Sequence, residues 1–351
     1  MLYFAAMLNE IWMMRCLQLA ANGGGLVAPN PMVGAVLVQN DRIIGEGYHR
    51  EFGGAHAEVI AIRSVHDDTL LAEATLYVNL EPCSHQGKTP PCADLIIENG
   101  IKNVVVGQMD PNPLVSGRGN QRLRDAGIDV TVGIAEAECK FLNRRFNTFH
   151  TKQRPHVILK WAQSADGFMD RRREADGGGG IHWISHPMSN IYVHKWRTEE
   201  QAILVGYNTV VNDNPQLTPR LVAGAAPLRI VLAGNRALPQ ACHLLTDALP
   251  ALIFHFNESK KIGAKEWVKV EPASYLDQVM LELRHRAISS VLVEGGRFTL
   301  DQFFKAALYD EVRVISAPQM MSEGLPAPYF PKGEYLRTSL GEDQLYTWYR
   351  S

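Results

Sequence analysis

Apolar and polar residues alternate along this chain in two series, and each series predicts strands separated by helices. In the first, a helical stripe of Trp12, Cys16 and Leu19 ends at the glycine-rich residues 22–25. An Asn40-Asp41 turn then joins two short strands into a hairpin. The pattern predicts strands at 33–38, 42–48, 75–80, 103–107 and 128–132 and helices at 56–64, 93–99 and 121–126. Such alternation is typical of an α/β sheet with helices on its faces.

A second series of the same kind begins near residue 155, after a polar stretch at 143–154. Its predicted strands are 156–161, 202–205, 229–232, 251–256, 290–294 and 311–316. We therefore expect two α/β domains, at residues 1–150 and 151–351, each long enough to bury its own core. The glycines at 177–180 predict a loop, either a mobile flap over a ligand or an ordinary flexible connection.

Composition and charge narrow the class of protein. The chain is 46% hydrophobic and 21% charged, which excludes a disordered protein, and it has no apolar stretch of about 18 residues to span a membrane. The 35 Lys and Arg residues against 37 Asp and Glu give a net charge of −2, without the basic excess of a nucleic-acid-binding protein. An anionic ligand would have to be held by a few placed cations. The five cysteines, an odd number, predict no disulfide framework and a reducing, cytoplasmic location.

The segment from His56 to Cys92 carries a metal-binding pattern. His56, Cys83 and Cys92 supply one imidazole and two thiolates, three of the four ligands of a tetrahedral zinc. No further cysteine or paired motif lies nearby, so the fourth position would be left for water, which is typical of a catalytic site. Zinc lowers the pKa of bound water from about 15.7 to about 7. Glu58, two residues after His56, is placed to transfer protons to and from that water.

These residues also carry a resemblance to a known family. His-Ala-Glu at 56–58 with Pro-Cys at 82–83 and a later cysteine is the signature of the zinc nucleobase deaminases. Further segments resemble one branch of them, the RibD family of bifunctional riboflavin-biosynthesis enzymes: PNPMVGAVLV at 29–38, GEGYH at 45–49, SHQGKTPP at 84–91 and DPNPLVSGRG at 110–119. The resemblance implies an N-terminal cytidine-deaminase-like domain with three α/β/α layers. In that family, this domain deaminates a 2,5-diamino-6-ribosylamino-4(3H)-pyrimidinone 5′-phosphate and releases ammonia.

The resemblance also implies roles for individual residues of the first domain. It makes His56, Cys83 and Cys92 the zinc ligands and Glu58 the catalytic acid and base. The substrate contacts that it implies are Asn30, His49, His85 and Lys88. Asn30 lies between two prolines, in a rigid loop that presents an amide to a pyrimidine edge or serves only as a turn. Lys88 is a candidate partner for phosphate.

The second half resembles the reductase half of the same family. The segments that carry this resemblance are LKWAQSADG at 159–167, HWIS at 182–185, AILVG at 202–206 and VLVEGG at 291–296. The last is a strand that delivers two glycines to a helix start, an arrangement suited to binding a diphosphate. The resemblance implies a dihydrofolate-reductase-like α/β fold that uses NADPH to reduce the ribosyl group of the deaminated product to a ribityl chain.

Site residues of the second domain follow from the same resemblance. The implied NADPH contacts are Ala162, Trp183, Thr209, Asp213, Gly296, Arg297, Phe298, Thr299, Leu300, Asp301 and Gln302, and the implied substrate contacts are Arg197, Leu217, Arg220 and Glu294. Arg197 and Arg220 are either the cations that hold a phosphorylated substrate or ordinary surface charges. The sequence departs from the family at Ile181, where a serine is expected two positions before Trp183.

Two other functions remain to be weighed against this one. A zinc nucleoside or tRNA deaminase would share the metal-binding residues, with a non-catalytic C-terminal domain, although a tRNA-binding protein should carry a basic face. A purely structural zinc module would normally close the metal site with a fourth Cys or His. We expect the bifunctional enzyme, with one zinc ion and NADPH as cofactors. Its expected partner is a phosphorylated pyrimidine rather than nucleic acid or membrane, and we expect a homo-oligomer, a dimer or a tetramer.

Overall fold

The structure is a computed structural model that describes residues 2–84, 90–113, 115–173 and 180–350. The chain divides into two compact units, Met1–Gln153 and Arg154–Ser351. Each unit has its own sheet and its own hydrophobic core. No helix in the described part of the chain is both long enough and apolar enough to cross a membrane.

Unit 1 is built around a five-stranded sheet with the strand order β2-β1-β3-β4-β5. Strands β1, β2 and β3 pair antiparallel, whereas β3, β4 and β5 run parallel. The elements are α1 (Leu2–Ala21), β1 (Gly34–Gln39), β2 (Arg42–Tyr48), α2 (Ala57–Arg63), β3 (Thr75–Leu80), α3 (Cys92–Glu98), β4 (Asn103–Gln108), α4 (Arg118–Asp125), β5 (Asp129–Val132), α5 (Glu136–Leu142) and α6 (Arg144–Thr151), with a 3-10 turn at Asp68–Glu73.

The strands of unit 1 alternate their side chains between two cores. On one face, Leu37 and Val78 join the core formed with α2, α3 and α4. On the other face, Val36 and Tyr77 pack with residues of α1 and α5. This alternation follows from the two-residue period of a strand, which sends successive side chains to opposite faces. Unit 1 therefore has the three α/β/α layers that were predicted.

Two differences from the predicted elements concern the ends of unit 1. The first helix begins at Leu2, well before the apolar stripe that starts at Trp12. The polar stretch at 143–154, predicted to be a break, contains the helix α6. Its local pattern is too polar to indicate a core helix. Tertiary bonds hold it: the buried Asn143 side chain accepts from the Met32 backbone N–H at 2.8 Å and donates to the Met32 carbonyl at 3.0 Å.

Unit 2 contains a ten-stranded sheet with the order β11-β12-β10-β9-β8-β13-β6-β14-β17-β16 and a separate pair, β15-β7. The central strands from β12 to β14 run parallel. The elements are β6 (His156–Gln163), β7 (Phe168–Asp170), α7 (Pro187–Glu199), β8 (Ala202–Gly206), α8 (Tyr207–Asp213), β9 (Leu228–Gly234), α9 (His243–Thr246), β10 (Ala251–His255), β11 (Lys260–Ile262), β12 (Lys265–Lys269), α10 (Tyr275–His285), β13 (Ser290–Val293), α11 (Arg297–Lys305), β14 (Glu311–Ser316), β15 (Leu325–Pro326), β16 (Leu336–Leu340) and β17 (Asp343–Tyr349), with a 3-10 turn at Pro272–Ser274.

The sheet of unit 2 is covered on both faces. Leu204 faces the core formed with α10 and α11, whereas its neighbours Ile203 and Val205 face the core that contains residues of α8 and α9. All six strands predicted for this half are present. Strands β7, β11, β12, β15, β16 and β17 were not predicted. Of these, β11 and β16 are the edges of the large sheet, and their exposed positions carry no apolar run. The glycine loop falls mostly outside the described residues, which resume at Gly180.

Candidate active sites

The three predicted metal ligands of unit 1 lie together. Nδ1 of His56 is 3.2 Å from Sγ of Cys92 and 3.6 Å from Sγ of Cys83. His56 immediately precedes α2, Cys83 follows β3, and Cys92 begins α3. Tetrahedral zinc bonds of about 2.0–2.3 Å place neighbouring ligand atoms about 3.5 Å apart, so these separations fit a zinc ion.

The charges of the donor set also fit a cation. Hydrogen bonds from the Cys92 thiol, the His56 ring and the Cys92 backbone N–H lower the pKa of Cys83 to about 4. The Cys83 thiolate and burial raise the pKa of Cys92 instead. A hydrogen bond to Cys83 raises the pKa of His56. Two thiols that share one proton in this way can both ionise once a divalent cation replaces the proton.

Glu58 lies on the first turn of α2, beside the metal ligands, and is only 3% exposed. Burial raises the pKa of its carboxyl, and the neighbouring Cys83 thiolate raises it further. The carboxylate also interacts with the Cys92 thiol. Glu58 is thus a buried acid that touches the metal-binding group without belonging to it, as a proton-transferring residue must.

Asn30 and His49 form a second polar pair near the metal ligands. Nδ1 of His49 is 3.0 Å from the Ala55 carbonyl, which can only accept, so this nitrogen carries the proton. Nε2 therefore accepts from the Asn30 amide at 3.2 Å. Burial lowers the pKa of His49, consistent with a neutral ring. The ring also contacts His56 edge-on, with 5.7 Å between centroids, so His49 lies between Asn30 and the metal-binding group. His85 and Lys88 lie outside the described residues.

Glu81 is a buried residue near this site for which the sequence predicted no role. Its carboxylate accepts from the backbone N–H groups of Asp110, Gly117, Gly119 and Asn120 at 2.9–3.2 Å. Gly119 is required at this contact, because a Cβ atom there would lie 1.9 Å from the Pro82 carbonyl oxygen. Glu81 thereby fixes Asp110 and residues 117–120 against the end of β3, two residues before the predicted ligand Cys83. The sequence feature that could have indicated a role for Glu81 is its position directly after the buried strand β3.

Unit 2 contains a cavity of about 1120 Å³ at the carboxyl ends of its parallel strands. This volume exceeds the usual upper range of about 1,000 Å³ for a small-molecule pocket, so it has room for more than one ligand. The predicted residues that line it are Ala162, Trp183, Arg197, Thr209, Asp213, Leu217, Arg220, Glu294, Gly296, Arg297, Phe298, Thr299, Asp301 and Gln302. Leu300 is the exception: it is fully buried in the core and does not line the cavity. Ile181 lines the cavity, where the serine of the family pattern is missing.

A charged cluster lies at the ends of β6 and β13. Arg197 donates two hydrogen bonds to Glu294, from Nε to Oε1 at 3.2 Å and from Nη2 to Oε2 at 2.7 Å. Burial opposes ionisation of Glu294, but the charges of Arg197 and Lys160 hold its pKa at about 2. Burial lowers the pKa of Lys160, a cavity residue for which the sequence predicted no role. The sequence feature that could have indicated a role for Lys160 is its position within the mostly apolar strand β6.

The other side of the cavity holds most of the predicted cofactor residues. Gly296 precedes α11, and its backbone N–H donates to Thr209 Oγ1 at 3.2 Å. Asp213 accepts from Arg173 at 2.9 Å, and Arg173 also bonds Asp170 at 2.8 Å. Nη1 of Arg173 is buried and has no hydrogen-bond partner among the described residues. Burial raises the pKa of Asp213.

Comparison with protein families matches both units. The model of the RibD C-terminal domain matches residues 155–346, and that of the cytidine and deoxycytidylate deaminase zinc-binding region matches residues 7–108. The riboflavin biosynthesis protein RibD of Aquifex aeolicus is 42% identical over 328 residues, which cover 91% of this chain and 90% of that protein. RibD of Escherichia coli is 36% identical over 338 residues, covering 90% and 89%.

Solved structures give the same result over nearly the full length. RibD of Acinetobacter baumannii matches with a TM-score of 0.86 and 30% identity, covering 97% of this chain and 98% of its own. The Thermotoga maritima diaminohydroxyphosphoribosylaminopyrimidine deaminase/5-amino-6-(5-phosphoribosylamino)uracil reductase matches with a TM-score of 0.86 and 36% identity, covering 98% and 99%. These matches confirm the predicted fold class, a deaminase-like α/β domain followed by an α/β reductase domain.

Proposed function

The chain belongs to the RibD family of bifunctional deaminase/reductases of riboflavin biosynthesis, and from this premise we propose the substrates and the residues of its two reactions. Unit 1 deaminates a 2,5-diamino-6-ribosylamino-4(3H)-pyrimidinone 5′-phosphate. Unit 2 then reduces the ribosyl group of the product to a ribityl chain with NADPH. The observation that carries the proposal is that the metal-binding group and the large cavity are both present, one in each unit.

In the deaminase site, His56, Cys83 and Cys92 hold zinc. The metal, when bound, supplies an activated water for attack on the amine-bearing carbon of the pyrimidine. Glu58 accepts a proton from that water and returns it to the departing amine, because its buried carboxyl lies beside the ligands and outside the ligand set. His49 accepts from the Asn30 N–H and so leaves the Asn30 carbonyl oxygen to bind the pyrimidine edge. His85 and Lys88 complete the substrate contacts.

In the reductase site, NADPH supplies the hydride when bound, and the protein binds and orients the two reactants. The start of α11 at Gly296, together with Thr209, Asp213 and the remaining cofactor residues of the cavity, forms the NADPH site. Leu300 supports this site from the core rather than by contact. Leu217, Arg220 and Glu294 bind the substrate, with the phosphate on Arg220, since Arg197 is already paired with Glu294. Arg197 therefore orients Glu294.

We also propose a cytoplasmic enzyme that acts as a homo-oligomer, a dimer or a tetramer, on a small molecule rather than on nucleic acid. All five cysteines are free thiols, which supports a reducing compartment. Met320 and Leu336 of unit 2, at 68% and 60% exposure, are side chains whose burial between copies can be tested. The near-zero net charge argues against a nucleic-acid partner.

The test uses the purified full-length protein and two separate assays. Ammonia release is measured with the diaminopyrimidinone ribosyl phosphate, and NADPH oxidation with the deaminated product. We expect both activities, and we expect 1,10-phenanthroline to remove only the first. Failure of NADPH oxidation with a well-folded, deaminating protein would disprove the reductase assignment, and the reverse result would disprove the deaminase assignment.

A further inference from the structure

The cationic side chains that line the reductase cavity are mostly neutralised by carboxylates. Arg173 pairs with Asp170 and Asp213, Arg197 with Glu294, and Arg297 with Asp301. Lys160 lies close enough to Glu294 for each to favour the other's charged form. A phosphate monoester that takes a cationic partner in this cavity is therefore expected to find it among the remaining cations.

Two arginines of the cavity have only neutral partners among the described residues. Arg220 donates to Oε1 of Gln216 at 3.3 Å, and Arg236 donates to Oδ1 of Asn208 at 2.9 Å. Two ligands of the proposed reaction each carry a phosphate monoester: the substrate carries its 5′-phosphate and NADPH carries its 2′-phosphate. The proposed function assigns Arg220 to the substrate phosphate. Arg236 has no role in it so far.

Arg236 is held in a defined orientation although it is exposed. Its Cζ lies 4.0 Å from the centroid of the Tyr207 ring, so the guanidinium stacks on the aromatic face. The bond to Asn208 fixes the guanidinium from α8, the helix that also carries Thr209 and Asp213. The stacked, singly bonded group retains N–H donors for an anion.

The position of Arg236 along the sheet separates it from β6, the strand that carries Lys160. Glu294 follows β13, Gly206 ends β8, and Arg236 lies two residues beyond the end of β9. The strand order β9-β8-β13-β6 and a spacing of about 4.8 Å between strands place the ends of β9 and β6 about 14 Å apart. The start of α11 lies after β13, between these two. The order matches an extended dinucleotide with its diphosphate at α11 and its adenosine ribose at β9.

We propose that Arg236 binds the 2′-phosphate of NADPH and thereby determines the preference of unit 2 for NADPH over NADH. The two coenzymes differ only by this phosphate, which a guanidinium can bind with two parallel charge-assisted hydrogen bonds. In Rossmann-type folds, a site for NADH usually places an Asp or Glu where it accepts from the ribose hydroxyl, whereas an Arg accommodates the phosphate, and the same charge argument applies to unit 2. After β9 this chain carries Asn235 and Arg236 and no acid. The proposal rests on the NADPH site of the proposed function.

The test measures the binding of NADP⁺ and of NAD⁺, each alone, by titration calorimetry on the full-length protein. Arg236→Ala should weaken NADP⁺ binding by roughly tenfold or more, as expected for loss of a charge-assisted hydrogen bond, and leave NAD⁺ binding unchanged. Arg236→Lys should restore part of the preference because it keeps the charge. Arg337→Ala, which removes an exposed arginine outside the cavity, is the matched control and should bind both coenzymes as the unmodified protein does.

Two groups of results would contradict the proposal, one against the role of Arg236 and one against the reductase function. If Arg236→Ala keeps the full preference for NADP⁺, or weakens both coenzymes equally, Arg236 does not select the 2′-phosphate. If the unmodified protein binds neither coenzyme, the proposed reductase function itself is wrong. In steady-state assays, the same variant should raise the KM for NADPH by roughly tenfold with little change in kcat, since Arg236 lies far from the hydride.

Discussion

Arg197 and Glu294 form a two-bond ion pair at the end of β13, with side chains that are only 11% and 10% exposed. Arg197 was predicted to be either a phosphate-binding cation or an ordinary surface charge, and the structure pairs its guanidinium with the Glu294 carboxylate. The pair keeps Glu294 ionised inside the cavity, with its pKa at about 2 against an ordinary value of 4.5. Because this pKa is lowered in the folded state, the associated stability is present above about pH 4.5 and is lost as the pH falls toward 2.

Substitution Arg197→Met should leave Glu294 buried without its partner. We expect a loss of about 3–5 kcal/mol in the free energy of unfolding at pH 7, because a buried charge is left unpaired. The pKa of Glu294 should rise, so the acid limb of the reductase pH profile should move to higher pH. Chemical denaturation and pH-dependent NADPH oxidation measure the two effects. In a double-mutant cycle with Glu294→Gln, strictly additive losses would show that the pair is not coupled.

Substitution Glu58→Gln should separate the two activities. Ammonia release should fall by about 10²–10⁴-fold, because the amide cannot transfer the proton, while the zinc content stays the same. NADPH oxidation with pre-deaminated substrate should be unaffected. Arg220→Ala should give the reverse pattern. A variant that loses zinc, or that loses both activities while folded, would contradict the assignment of Glu58 as a proton-transferring residue outside the ligand set.

Substitution Glu81→Gln should weaken the attachment of Asp110 and residues 117–120 to the end of β3. In the unmodified protein both carboxylate oxygens accept hydrogen bonds from backbone N–H groups. In the glutamine variant an NH₂ group replaces one oxygen, so it would face backbone donors without being able to accept from them. We expect a loss of about 2–4 kcal/mol in the free energy of unfolding of unit 1, from weakened charge-assisted hydrogen bonds. Deamination should fall with little change in NADPH oxidation. Glu98→Gln, at an exposed position, is the control for loss of one negative charge. Equal stability of the two variants would show that the hydrogen bonds of Glu81 do not stabilise unit 1.

His194 should remain neutral across the physiological pH range. Burial and the charges of Arg197 and Arg220 lower its pKa to about 4, and its Nδ1 accepts from the Leu221 N–H at 3.1 Å. The stability that depends on the neutral ring is therefore present above about pH 6.5 and is lost as the pH falls toward 4.

The matched variant is His194→Asn, since an amide oxygen can replace Nδ1 as the acceptor without titrating. Between pH 7.5 and pH 4.5 the unmodified protein should lose more than about 1 kcal/mol of unfolding free energy beyond the loss in the variant. Equal losses in denaturation experiments at the two pH values would show that His194 does not titrate as described.

The sequence by itself predicted most strands of the two large sheets and a candidate metal-binding group. Apolar runs predicted the strands of the parallel parts of both sheets except β12, because a strand buried on both faces leaves a continuous signal and the charged sequence of β12 does not. The residues around His56, Cys83 and Cys92 form local motifs, so the sequence alone indicates a zinc site. The residue roles in both sites remain proposals, which the experiments above test.

Only the tertiary structure decided how the charges are paired and which polar segments fold. Arg197 meets Glu294 across 97 positions, Glu81 meets Gly119 across 38, and Asn143 meets Met32 across 111. None of these pairs leaves a periodic or local pattern, because the contact depends on where the sheet brings distant loops together. The burial of Leu300 has the same origin: a run of residues after Gly296 predicts a site, but the turn of α11 sends one of them into the core.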